Sequence, residues 1–453
     1  MVDDELDVWL GARRAGRLTR AVDGRVAFDY DPAYLRGADS TPLSASMPMT
    51  RAAHGPEVVG PWLSNLLPDN ERVLERWADE FGTRDISAFG LLRYMGADCP
   101  GAVQILPDGV LPDAHIGGTP QTEAGIARRI EGLRDDDAAW SAPDDVNEAS
   151  EFGRFSLAGA QGKFALTETA KGWELPIGHS ASTHIFKVGV RRIADLDVAE
   201  YVTTRAAGAL GLPVPEQRLL AFGGHRALVS RRYDRYSEHG LVQRIHQEDF
   251  CQALGVWPRY RYEKDAHGPT LADLAYVVDE LTGPAAYREV SRELLARATA
   301  FNLMSIGTDA HAKNHSLLHV GPETTMAPLY DLGSAAFAYD GERLSRGAVM
   351  AVSYGGSRRV AEIRGPEILR TADALGIDRD AYTDLIRRYA ATVPDAIAQA
   401  LRECPVLPED NPLFVAAPGV LQQHAARVLR DLDRVRSADV VPVPAVRRYG
   451  LPR

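Results

Sequence analysis

Three polar residues late in the chain have types and an order suited to moving a phosphoryl group: Asp309 and Asn314 in "TDAHAKNHSLL", and Asp331 in "PLYDLGS". Mg2+ is a hard cation that takes oxygen ligands, so the amide oxygen of Asn314 and the carboxylate of Asp331 suit it when it also grips nucleotide phosphates. A second carboxylate, Asp309, is then left unligated to accept a hydroxyl proton. Each residue alone reads more readily as a turn residue, since Asp and Asn are common in loops. Their order behind an apolar helical stretch favours the chemistry.

Asp309 followed by four residues and Asn314 is the spacing of a protein-kinase catalytic loop, and Asp331-Leu332-Gly333 resembles the Asp-Phe-Gly motif. Upstream, "SLAGAQGK" (Ser156 to Lys163) is Gly-rich between strand-like stretches, and its small residues let backbone N–H groups approach phosphate oxygens. It has neither the GxxxxGK[ST] nor the GxGxxG spacing, so by itself it also fits a bulge or hairpin turn. Lys187 in "THIFKVGV" sits on a predicted strand. With 5 Lys against 46 Arg in the chain, a strand lysine suits a phosphate as a compact charge. The bland alternative is a snorkelling surface Lys. Glu200, on the helix that follows, is placed to pair with Lys187 as the strand lysine and helix glutamate of kinases do, or else is a solvated helix-face carboxylate.

Other chemistries find less support. His311 and His315 are four apart, but Ala312 stands where a zinc protease needs its glutamate, and no GxSxG occurs. Cys99, Cys251 and Cys404 lie too far apart for a disulfide framework or a zinc pairing, which fits a reducing compartment. The run "GVWPRYRYEKD", with Trp257, Tyr260, Tyr262, Arg259 and Arg261, has the composition of a nucleic-acid stacking surface but reads better as a helix terminus packed on its lobe.

The elements that must hold these residues are legible in outline. "DVWLGARRAGRLTR" and "GRVAFDYD" read as strands, and "LPDNERVLERWADEFG" as a helix whose Val73, Trp77 and Phe81 form one stripe. Residues 107–150 turn acidic and Pro/Gly-punctuated around a short helix at Thr122 to Leu133, and read as a connecting region. Next come strands, a helix in "DLDVAEYVTTRAAGALGLPVP", and a hairpin closed by Gly223-Gly224-His225; after about Ser237 the pattern is mostly helical, with Val290, Leu294, Ala298 and Phe301 on one face. The 453 residues, 45% hydrophobic and 25% charged, suffice for two or three domains and exclude a small binding module. A net charge of −11 rules out a generalised positive field for holding nucleic acid. The acidic start "MVDDELDVWL" is no signal peptide, and no run of ~18 apolar residues offers a membrane span, so the expected location is cytoplasmic.

Taken in order, "LLPDN", "GADCPGAVQI", "SLAGAQGK", "THIFK", "RIHQEDFCQALG", "TDAHAKN" and "LYDLGS" resemble the HipA family of serine/threonine kinases, the toxin half of type II HipBA toxin–antitoxin modules. The resemblance spans nearly the whole chain. It implies an α+β, protein-kinase-like two-lobe fold: a β-rich N-terminal subdomain (1–110), an ATP-binding lobe (111–236) and a helical lobe (237–453). It implies that Ala158, Gly159, Ala160, Gln161, Gly162 and Lys163 form the phosphate loop, that Lys187 contacts ATP, and that Arg231, Arg232 and Tyr233 are the hinge beside adenine. His311, Ala312, Lys313 and Asn314 would line the catalytic loop with Tyr330 nearby, Asn314 and Asp331 would hold Mg2+, Asp309 would accept the proton, and Ser156 would be autophosphorylated and self-inactivating. Two departures stand out: Arg231 where the family often has Glu, and Gly307 where Asn is frequent, which is expected to loosen the turn before Asp309.

The resemblance further implies an aminoacyl-tRNA synthetase as target, growth arrest as outcome, and a HipB-like helix-turn-helix antitoxin that carries the operator DNA contacts. An acidic toxin agrees with that division of labour. The alternatives are a catalytically weak antitoxin-binding corepressor, or a kinase of a non-protein acceptor, since fold alone does not name the acceptor.

Overall fold

The computed structural model describes residues 4–68, 70–112, 117–135, 162–189, 195–238, 241–264, 267–321, 323–406, 408, 410–442 and 447–449. In the first segment, strands Asp4–Leu10, Arg13–Arg20 and Val26–Tyr30 pair antiparallel in a meander. Ala53–His54 extends one edge and Val103–Pro107 the other. Their inward residues Leu6, Val8, Leu18 and Phe28 are fully buried and meet three helices, Pro56–Asn65, Glu71–Glu80 and Ala88–Met95. The Asn70 side chain caps Glu71–Glu80 by accepting from the Arg72 N–H, and Val73 and Trp77 are buried as their four-residue spacing predicts.

A second antiparallel sheet runs in the order Gln217–Phe222, His225–Arg231, His184–Lys187, Lys163–Thr169, Gly172–Pro176, Gly118–Pro120. Helix Glu123–Asp135 buries Ile126, Ile130 and Leu133 against Phe164, Phe186 and Val229. The predicted connecting region is therefore part of this lobe over 118–135. The hairpin turn is two residues, not three: Gly223 and Gly224 both have φ > 0, the geometry that suits a tight hairpin, and His225 already belongs to the strand. Helix Leu196–Ala209 ends at Gly211, φ +76, as its Gly-Leu-Pro stop predicts.

The last segment is built on helices Leu271–Leu281, Ala285–Ser305, Gly365–Leu375, Arg379–Arg402 and Pro412–Leu432, sharing one core with a small sheet of His246–Asp249, Ser316–Val320 and Glu323–Met326. Leu294, Ala298 and Phe301 are buried, but Val290 is 59% exposed: the apolar period runs on past the point where helix Ala285–Ser305 leaves the core. The whole is an α+β, protein-kinase-like two-lobe fold with an added β-rich subdomain. Among the described residues no helix is long and apolar enough to cross a membrane.

The first segment is bonded to both of the others. Asn65 Nδ2 donates to the Val256 carbonyl at 2.8 Å, and Ser44 Oγ donates to Glu248 at 2.5 Å. Buried Asp98 meets Arg235 at 2.9 Å and accepts from the Ser182 N–H and hydroxyl, while Asp234 accepts from the Gly101 N–H at 2.7 Å. Burial works against the charge of Asp98, but Arg232, Arg235 and Arg244 hold its carboxyl below the usual range.

Candidate active site

The long helix Ala285–Ser305 is stopped by Ile306 in the left-handed region (φ 55), a costly state for a β-branched residue that packing holds in place. Gly307 then donates its N–H to the Asn302 carbonyl at 2.7 Å, and a Cβ on it would lie 2.7 Å from Asn302 Oδ1. Gly307 thus tightens the turn before Asp309 rather than loosening it. The Asp309 carbonyl accepts from the His311 N–H and from Asn314 Nδ2, each at 2.8 Å, which closes the loop on itself. Asn314 commits its NH2 group to this loop, leaving its acceptor oxygen for a ligand.

The small sheet then returns the chain to Tyr330 and Asp331. Tyr330 donates its hydroxyl to the Lys313 carbonyl at 2.8 Å, and Leu329 N–H bonds the Pro213 carbonyl at 2.8 Å, pinning this segment to the other lobe. Asp331 takes φ 54, one of three non-glycine residues at positive φ among those described. Its carboxylate is ion-paired to Lys187, which in turn meets Glu200 at 2.6 Å. Burial alone would push the Lys187 ammonium down, but Asp331 and Glu200 reverse that and hold it above the ordinary lysine value. Burial likewise opposes the charge on Asp331, yet Lys187, with Lys163 behind it, brings its carboxyl down to about 2. Glu200 is held above the ordinary range by burial despite Lys187.

These residues surround one cavity of about 720 Å3, a size suited to a nucleotide. Lys163, Lys187, Glu200, Arg231, Arg232, Tyr233, Asp309, His311, Lys313, Asn314, Tyr330 and Asp331 all line it. Ala312 is fully buried beneath the loop and is not part of the lining, and neither is Gly162. Lys163 is the first residue of its strand rather than part of a loop. Ser156, Ala158, Gly159, Ala160 and Gln161 lie outside the described residues. Arg232 reaches the cavity from the hinge, but its guanidinium is engaged by Asp234 at 2.8 Å, Ser182 at 2.9 Å and the Cys99 carbonyl at 3.1 Å. Only its main chain is left to meet a base.

Among the lining residues that sequence reasoning passed over, three are polar and bonded at or beside the site. Gln217, 9% exposed, donates to Glu200 at 3.3 Å; Asn65, 1% exposed, comes from the first segment; and Tyr262 donates to Asp309. Tyr262 lies within the cationic aromatic run, whose pattern predicts packing rather than a contact with the loop. The other two carried no local signal.

A two-lobed fold, a buried lysine held between two carboxylates, and an Asp–Asn loop facing them are the parts of a kinase-type phosphotransferase. Residues 155–397 match the HipA-like C-terminal domain, and residues 6–106 the HipA N-terminal domain. The chain is 34% identical to a putative kinase of Sinorhizobium fredii over 90% of this chain and 93% of that one. It is 29% identical to the serine/threonine-protein kinase toxin HipA of Shewanella oneidensis, over 88% and 90% respectively. A solved complex of Shewanella oneidensis HipA with HipB and its operator DNA is similar at a TM-score of 0.81 and 26% identity, covering 96% of this chain and 100% of that one. The chain belongs to the HipA family of serine/threonine kinase toxins.

Proposed function

We propose that this chain transfers the γ-phosphate of Mg·ATP to a protein serine or threonine. The observation that carries the reading is Lys187, buried between Glu200 and Asp331 on the wall of the cavity that Asp309 also lines. Lys163 and Lys187 bind the phosphates as point charges, with the loop 158–162 supplying backbone N–H groups. Tyr233 and Tyr330, ring centroids 5.8 Å apart, offer flat faces to the adenine beside the main chain of Arg231 and Arg232. The donor set fits Mg2+: one carboxylate (Asp331) and one amide oxygen (Asn314), the few protein oxygens that this ion takes alongside phosphates and water. Bound there, Mg2+ supplies charge neutralisation on the phosphates. Asp309 accepts the acceptor hydroxyl's proton while the loop bonds to its carbonyl keep the residue in place.

The acceptor is a protein, and family resemblance favours an aminoacyl-tRNA synthetase, with growth arrest in the cytoplasm as the consequence. A HipB-like helix-turn-helix antitoxin neutralises the kinase and makes the operator contacts. The net charge of −11 and the similarity to a HipA–HipB–DNA complex support this division. Ser156 is the site of self-inactivation: a phosphate of about −1.5 to −2 charge beside the nucleotide phosphates would repel them and expel the loop.

Peptide mapping after incubation with Mg·ATP tests the reading. One added phosphate, at Ser156, is expected in the parent and none in Asp309→Gln. Phosphate in neither, with ATP binding also absent, would overturn it.

A further inference from the structure

Asp309 is met by a side chain that the chemistry above does not use. Tyr262 Oη donates to Asp309 Oδ1 at 2.5 Å. We propose that Tyr262 is a positioning residue for phosphoryl transfer: its phenol locks the rotamer of the Asp309 carboxylate, so that the base meets the acceptor hydroxyl already aimed. The proposal rests on the transfer reading above.

The phenol is itself firmly held. Its ring packs T-shaped on His311 of the catalytic loop, centroids 4.7 Å apart at 87°, and the Arg261 and Lys264 cations lie over the ring at 5.0 and 5.5 Å. Its backbone neighbours are tied on both sides. The Ala312 N–H reaches the Arg261 carbonyl at 3.4 Å, the Glu263 N–H reaches the Ala351 carbonyl at 3.0 Å, and Glu263 Oε2 accepts from the Ser353 N–H at 2.5 Å. Gly268 packs so tightly that a Cβ would fall 1.8 Å from the Tyr262 carbonyl oxygen. Tyr262 therefore belongs to a fixed segment on the cavity wall, not to a swinging side chain.

Its chemistry suits the role. Burial and the Asp309 charge push the phenol up to about 12, so it remains a donor throughout the working range. A carboxylate offers about four lone-pair sites, so one phenol on Oδ1 leaves acceptor capacity for the substrate hydroxyl. Correct orientation of a reacting group is a term in the barrier and not in substrate affinity.

The test uses the full chain, Mg·ATP and dephosphorylated casein as the Ser/Thr acceptor, with the parent beside Tyr262→Phe. The change removes one oxygen from a half-buried ring, and equal thermal midpoints establish that the fold is kept. Expected is a fall in kcat of about tenfold with KM for ATP and for casein within about twofold. A kcat within about twofold of the parent, or a loss confined to KM, would overturn the role of Tyr262 alone. A parent that phosphorylates neither casein nor itself would overturn the transfer reading, and this role with it.

Discussion

Lys163 and Lys187 are register partners on adjacent antiparallel strands, so two of the five lysines in the chain stand side by side on the cavity wall. Like charges directly opposite on one sheet face repel. Here Glu200 and Asp331 close around Lys187 and offset that repulsion, leaving a four-charge cluster in which each member depends on the others.

Removing the lysine at the centre of the cluster should be costly in two ways. In Lys187→Met, buried Glu200 and partly exposed Asp331 become neighbouring carboxylates with only Lys163 left as a nearby counter-charge, and a loss of about 3 kcal/mol of stability is expected. Nucleotide affinity should fall as well. Urea unfolding and ATP titration check the two effects, and an unchanged urea midpoint would contradict the first.

The network at Asp98, which reaches the cavity through Arg232, makes a stability prediction. Asp98→Ala leaves Arg232 and Arg235 buried with half their counter-charge, and about 3–5 kcal/mol of destabilisation follows. Calorimetry should show the fall in Tm. Because Arg232 is at the hinge, ATP affinity should weaken in the surviving folded protein.

Acid should destabilise the protein through its buried histidines. Burial pushes His315 and His424 down to about 4 and His246, also facing His319, to about 3. Unfolded histidine binds its proton near 6.5. Between those values the unfolded chain takes up protons that the native chain refuses, so stability is full above about pH 6.5 and is lost as pH falls toward 4. Each of these groups contributes roughly 1–2 kcal/mol of loss at pH 5. Denaturation midpoints at pH 7.5 and 5 measure this, and His424→Asn should narrow the difference between them.

What could be read from the chain was what local pattern encodes. Asp309, Asn314 and Asp331 announce themselves by type and spacing within 23 residues. The four-residue period of Val73 and Trp77, the Gly-Gly hairpin and the Gly-Leu-Pro stop are each set by backbone chemistry at the site itself. What stayed hidden was long-range. Asp98 meets Arg235 across 137 positions, and Asn65 meets Val256 across 191. No period or motif links such pairs. The exposed Val290 shows the converse, an apolar period persisting where no partner surface covers it. Tyr262 was visible only as one aromatic among several, because its role depends on where the catalytic loop folds back.

The most direct measurement compares the parent with Asp309→Asn, in one preparation each, for ATP binding and for transfer of labelled γ-phosphate to protein. The arrangement of Asp309 opposite Lys187 and Asp331 predicts that both bind ATP with similar affinity while only the parent transfers phosphate. Transfer by Asp309→Asn at the parent's rate would contradict the account, because the proton would then be leaving by a route that does not pass through Asp309.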